Sequence, residues 1–313
     1  MYTLVNTTLD AAQIRMPSML SDPQGSTSDS ITIRPARATD IDRCGRICYE
    51  AFDAISRQHG FRSDFDTPET ARQAIASMFG HPSFHCIVAE ESGAVVGSNC
   101  MDERSSIWGI GPITIDPSVQ NAGIGARLMT AMKSRAAERC VSGVRLLQAA
   151  YHCRSMALYS KLGFRIREPL VLMQGTLVSE IPTGYAVRAA KTEDLEGCNR
   201  LCRQIHGHDR AGELADAITQ GTAHVAEYEG RICAYSSGIG FFGHSAAEND
   251  RDLQVLLSGA GAFSGPGIIV PARDTELVRW CLNGGLRIVQ PMTLMTIGFY
   301  NEPAGAYLPS ILY

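Results

Sequence analysis

Long hydrophobic runs are missing from this chain: no stretch of about 18 apolar residues occurs, so no membrane-spanning helix is expected. An excess of positive charge is missing too. Lys and Arg number 28 against 32 Asp and Glu, a formal net charge of −4, and no Lys/Arg-rich block stands out. Recruitment of nucleic acid or an anionic membrane by bulk charge is therefore not expected. Residues 1–30 lack the basic start and apolar stretch of a signal peptide, since Asp10, Gln13 and Arg15 interrupt them. The expectation is a cytoplasmic protein whose residues 1–30 form a mobile leader, rich in Ser, Asp, Gly and Pro over 21–30.

Ten cysteines are present, but no CxxC pair. In a reducing compartment disulfides are disfavoured. Cys44/Cys48 and Cys198/Cys202 lie four apart, which puts each pair on one helical face. Half a metal site is one reading of that spacing; small hydrophobes facing a core is the other, and the one expected. No metal is expected.

A chain of 313 residues fits two domains of about 150 residues, and internal echoes mark them. Ile33-Arg34-Pro35-Ala36-Arg37-Ala38-Thr39-Asp40-Ile41 is repeated as Val187-Arg188-Ala189-Ala190-Lys191-Thr192-Glu193-Asp194-Leu195. The hairpin pattern at Val88 to Gly97 returns at Val225 to Ala234, and Gly163-Phe164-Arg165-Ile166 returns as Gly285-Leu286-Arg287-Ile288. Three echoes in one order mean two copies of one fold. The spacing between echoes falls from 154 residues (33 to 187) to 122 (163 to 285), so the second copy is shorter. The expected division is 1–30, 31–175 and 181–313.

The chemistry concentrates in the first copy. Ile107-Trp108-Gly109-Ile110-Gly111-Pro112-Ile113-Thr114-Ile115 reads as a strand broken by two glycines and a proline, as at a bulge. Gln120-Asn121-Ala122-Gly123-Ile124-Gly125 then opens a helix with Ile124, Leu128 and Met132 on one face. A glycine turn at a helix start aims backbone N–H groups, backed by the helix dipole, at one anion. The second copy has no such turn; Gly259, Gly261, Gly265 and Gly267 straddle Pro266 instead.

Gln-x-x-Gly-x-Gly after an interrupted strand, followed by Leu158-Tyr159-Ser160-Lys161-Leu162-Gly163-Phe164, closely resembles the GNAT superfamily of N-acetyltransferases. The resemblance covers the whole first copy, and the second only in outline, as in tandem bacterial members. It implies an α/β (α+β) fold: two tandem domains, each a mixed, mostly antiparallel twisted sheet flanked by helices, the first with a bulged, splayed strand pair. It further implies acetyl-CoA as cosubstrate, with pantetheine on the main chain of Ile113, Thr114 and Ile115. The pyrophosphate would lie on Gln120, Asn121, Ala122, Gly123, Ile124, Gly125 and Ala126, with His152 and Ser155 in further contact. The family usually has Asn where His152 stands.

By the same resemblance Tyr159 protonates the departing thiolate after direct attack by an amine. Many relatives carry a Glu in the bulged strand, where this chain has Gly109; Asp102 and Glu103 are either a base acting through water or solvated turn residues, and water alone can take the proton. In the family the loop after the first helix helps build the acceptor pocket; here it holds Phe52, His59, Phe61, Asp64 and Asp66, which either receive a cationic amine or form an ordinary surface loop, with Trp108 facing either pocket or core. In the second copy His206 and His208 with Asp209 suggest a metal, but no third ligand has partner spacing, so a polar loop is expected; His206, His208 and His244 are otherwise read as part of a lid over the acceptor cleft. The implied function is acetyl transfer to a primary amine of a small metabolite; a protein or peptide acceptor and a non-catalytic acyl-CoA sensor are the competing readings. Oligomeric state is left open.

Overall fold

A computed structural model describes residues 31–120 and 122–312, so the expected leader lies outside the described residues. From Ile31 onward the chain forms one compact unit. Its first half runs β1 (Ile31–Pro35), α1 (Ile41–Gln58), α2 (Pro68–Gly80), β2 (Phe84–Glu91), β3 (Ala94–Asp102), β4 (Ile107–Ile115), α3 (Ile124–Glu138), β5 (Gly143–Ala149), α4 (Cys153–Lys161) and β6 (Arg165–Gln174). The second runs β7 (Tyr185–Ala189), α5 (Leu195–His206), α6 (Ala211–Gln220), β8 (His224–Tyr228), β9 (Arg231–Ser236), β10 (Ser245–Ala247), α7 (Asp250–Ser258), β11 (Ile268–Pro271), α8 (Thr275–Asn283), β12 (Arg287–Gly298) and β13 (Ala306–Leu308).

The duplication is visible in atoms as well as letters. In the first half Arg34 bridges Asp40 and Glu90, while the Asp40 carboxylate accepts from the Arg37 backbone N–H. In the second half Arg188 bridges Asp194 and Glu227, and Asp194 accepts from the Lys191 N–H. The two hairpins also turn alike, on Ser92-Gly93 (φ 50° and 82°) and Glu229-Gly230 (φ 50° and 80°). Paired left-handed residues of this kind match the twist of the flanking strands. Cys44, Cys48, Cys198 and Cys202 are all fully buried on α1 and α5. Burial pushes the Cys44 and Cys198 thiols up to about 12, so they pack as hydrophobes.

Two sheets form, in the orders β1-β2-β3-β4-β5-β12-β6-β11 and β13-β10-β9-β8-β7. All pairings between these strands are antiparallel except β4 with β5. The architecture is the expected mixed, mostly antiparallel α/β fold. The strands that close the two copies are exchanged: β12, from the second half, pairs with β5 of the first, and β6 pairs with β11 of the second. The two echoed strands β6 and β12 lie side by side, Met292 opposite Leu170. Stretch 175–184, where the sequence division falls, thus joins two interlocked halves. Fully buried Glu168 on β6 ties them further, accepting from Arg273 at 3.0 and 2.8 Å and from the Tyr307 hydroxyl at 3.3 Å.

Candidate functional site

Strand β4 makes the site. Against β3, Met101 pairs with Ile110 and Asn99 with Ile113, so β4 carries one extra residue at Gly111-Pro112. Gly111 has φ 146°, a conformation side chains rarely adopt. Against β5, β4 pairs only through Ile107–Gly109 with Gly143–Arg145. Past that point the strands separate while β5 keeps β12 as its other neighbour. Residues 110–115 are therefore paired to β3 on one edge and open toward a cleft on the other, a template for an added extended chain.

The turn after β4 leads to α3. Gly123 is its N-cap, left-handed at φ 76°, with no side chain capping the helix and no acid in the first turn. The first backbone N–H groups of α3 are thus left for an outside acceptor, at the positive end of the dipole. Ile124, Leu128 and Met132 are buried on one face, as their spacing predicts.

A cavity of about 1980 Å³ gathers these elements. Ile113, Thr114, Ile115, Gln120, Gly123, Ile124, Gly125, Ala126, His152, Ser155 and Tyr159 all line it, as do Phe52, His59 and Phe61. Asn121 lies outside the described residues. Ala122 is exposed at the turn and is not part of the lining. Trp108 is buried in the core with Met129 and Met132 rather than in the cleft wall, because it lies where β4 is still paired to β5, opposite Val144.

Tyr159 is 6% exposed and lies in the core cluster with Phe164, yet also lines the cleft. Burial pushes its phenol up to about 12, with the Ser155 hydroxyl opposing. Ser155 in turn lies 2.8 Å from His152 Nδ1. Burial first, then Arg154 and His59, push His152 down to about 4, so it is neutral at pH 7. The residues run as a file, His152, Ser155, Tyr159, from the N-cap of α4 to near its end.

Residues 49–164 match the acetyltransferase (GNAT) family. That match places the first copy, not the whole chain, in the GNAT family. No curated protein matches it by sequence. Among solved structures, a Pyrococcus horikoshii protein classed as an acetyltransferase is 18% identical with a TM-score of 0.69, covering 91% of this chain and 97% of its own. A GCN5-related N-acetyltransferase from Sphaerobacter thermophilus is 14% identical with a TM-score of 0.58, over 88% and 98%. A tandem GNAT protein from the clavulanic acid biosynthesis pathway is 14% identical with a TM-score of 0.50, over 86% and 98%. At these identities the likeness is one of fold, including the two-domain arrangement.

The residues fit the acetyl-CoA that GNAT proteins use. An open strand edge, an uncapped helix start and a buried phenol face one cleft, and acetyl-CoA bound there would supply a thioester. The second copy of the fold is built differently. Its counterpart helix α7 is capped by the Asn249 side chain, which accepts from the Asp252 N–H, and its first turn holds Asp250 and Asp252. Two carboxylates and a filled cap repel a phosphate. That half contributes wall instead: Phe241, Ile311 and Leu312 line the cleft of the first copy.

Other expected residues fall elsewhere. Asp102 is paired with Arg104 at 2.6 Å, and Glu103 with Arg135, so neither is a free carboxylate. His206, His208 and His244 are buried among themselves and Tyr307, away from the cleft lining. The ligand-type atoms of Cys202, His206 and His244 lie within 4.8 Å of one another, a grouping suited to a metal that the sequence spacing concealed. The Tyr235 hydroxyl lies 2.8 Å from His244 Nε2 and is also hydrogen-bonded with Cys202, so one oxygen already meets two of the three groups. Tyr151 was missed by sequence reasoning. It stacks on Phe61 at 4.2 Å and 7°, and its hydroxyl lies 3.2 Å from Ser56 Oγ, closing α1 and its loop over the end of β5.

Proposed function

We propose that this protein transfers the acetyl group of acetyl-CoA directly to a primary amine of a small molecule. The observation that carries the reading is the separation of β4 from β5, with the open edge of residues 110–115, the start of α3 and Tyr159 facing the same cavity. Its 1980 Å³ exceeds the usual size of a single-ligand site, as room for two reactants requires. Both halves of the chain wall it, which favours a small acceptor over a protein surface.

In this reading residues 113–115 hold the pantetheine arm, the N–H groups at 123–126 hold the pyrophosphate, and Tyr159 gives its proton to the departing sulfur. Ser155 and His152 stand behind Tyr159 to return a proton from the cleft. No carboxylate lies on β4, so water takes the proton released by the amine. Thiol release from acetyl-CoA, followed against amino acids, amines, aminoglycosides and peptides, tests the proposal. Saturable coenzyme binding without turnover on any acceptor would replace it with an acyl-CoA-binding role.

A further inference from the structure

One cleft carboxylate has no part in the chemistry described so far. Asp64, in the loop between α1 and α2, lines the cavity and is half-buried. The groups acting on it are the Gln290 side-chain amide, the Tyr151 phenol and the Cys48 thiol; none is a cation. Gln290 is 3% exposed, its amide faces Asp64, and its Nε2 meets no well-formed hydrogen-bond partner among the described residues. Burial raises the Asp64 carboxyl to about 6, with Gln290 opposing. It is still ionised at pH 7, and among the described residues the groups acting on it include no cation, the cavity's arginines and lysine being no part of them.

Its side of the sheet can be read from the register. Gln290 pairs with Leu172 and Met292 with Leu170, and Met292 also faces Ala149. Leu147, Leu170, Leu172 and Met292 form one cluster with Phe241, so Gln290 and Asp64 belong to that face. Tyr159 belongs to the other, with Leu146 and Met295. Gln148 alternates with Leu147 and so lies on the Tyr159 side. It is 7% exposed, lines the cleft, and among the described residues neither its Oε1 nor its Nε2 has a hydrogen-bond partner. Residues of both faces line the one cavity, and the gap where β4 leaves β5 joins them. A group held at Asp64 is therefore on the opposite side of the sheet from the sulfur that Tyr159 serves.

We propose that the acceptor carries two amino groups, one held as an ammonium by Asp64 while the other reaches the thioester through the gap between β4 and β5. This rests on the transfer reading above. The ammonium supplies the charge that Asp64 lacks, with the Tyr151 and Phe61 rings beside it and the apolar Leu147, Met292 and Phe241 around the connecting chain. The amine that reacts passes Gln148, whose amide can accept from it. It loses one proton to water before attack and one as its bond to carbon forms, while Tyr159 gives one to the sulfur and is restored through Ser155 and His152. The anchored nitrogen keeps its charge.

The test compares short diaminoalkanes with monoamines of the same chain length, by thiol release and by calorimetric binding to the coenzyme-loaded protein. The wild type should favour the diamine by about ten- to hundredfold, as expected for loss of one charge-assisted contact. Asp64→Asn should abolish that preference and leave acetyl-CoA affinity unchanged. Diamine binding to the wild type should weaken about tenfold per pH unit below about 6, as Asp64 protonates, and should not do so in the variant. Tyr151 and Cys48 stay neutral throughout that range, both raised by burial. A diamine preference that survives in Asp64→Asn, or a wild type that turns over monoamines equally well, overturns the inference and leaves acetyl transfer standing. Asp64-dependent diamine binding without turnover of any amine supports the anchor and overturns the transfer reading.

Discussion

Replacing Tyr159 by Phe removes one oxygen atom from a buried wall and leaves the ring that packs against Phe164. The lost contact with Ser155 is worth about 1 kcal/mol, so the variant should fold normally. The effect on rate should be far larger. With the phenol at about 12 and a solution thiol near ~8.5, proton transfer would be uphill by about 5 kcal/mol. The sulfur is released against the same buried wall, which lifts the thiol as well and narrows that gap. Removing a general acid of this kind costs about 10²- to 10⁴-fold. The acid form is needed and persists below its pKa, so kcat should show no loss from Tyr159 up to about pH 10. The assay is single-turnover thiol release with saturating amine, beside equilibrium binding of acetyl-CoA. A rate within threefold of wild type, or a loss of coenzyme affinity instead of rate, would refute the reasoning and make Tyr159 a packing residue.

Two further outcomes concern stability. Burial, then neighbouring charge, holds His206 and His208 below their usual range, His208 down to about 3; in His244, likewise lowered by burial, Glu213 opposes the shift in part. The unfolded chain then binds more protons below about pH 6.5, so their contribution is intact above that value and is lost as pH falls, by about 1.4 kcal/mol per pH unit for each. Urea denaturation should show a marked fall between about pH 6.5 and 5; a flat profile would contradict the buried, neutral assignment. Arg210 and Glu213 form a buried ion pair at 5% and 6% exposure, Nε to Oε2 2.6 Å, and the Ser237 hydroxyl donates to the other carboxylate oxygen. Arg210→Met should cost about 3–5 kcal/mol by stranding Glu213, and adding Glu213→Leu should recover much of it; a near-neutral single variant would show that the pair is not buried as described.

The parts of this account that were legible in sequence are local. Asp40 and Asp194 close the same backbone turn in each copy, and both were visible as an echo. Gly123 and Tyr159 were legible because a left-handed cap and a helix-borne phenol depend on a few adjacent residues. What depended on pairing across the chain was not. Alternation in β12 tells which side chains share a face but not that the strand slots between β5 and β6, so the exchange of closing strands stayed hidden. Trp108 was undecided because the pattern around it does not say where β4 stops pairing with β5. Cys202 and His206 are one helical turn apart, and only three dimensions bring His244 to them. Asp64 was visible as a carboxylate in a loop, but its want of a cation is a property of neighbours contributed by β12 and the end of β5.

The central claim is that two copies of the fold share one thioester site, built on residues 113–126 and Tyr159. Calorimetric titration of acetyl-CoA into the intact chain measures it most directly. One coenzyme should bind per chain, with thiol released only when an amine is added. Two equivalents per chain, or binding that persists when the turn at Gly123 is made unable to receive a phosphate, would contradict the account.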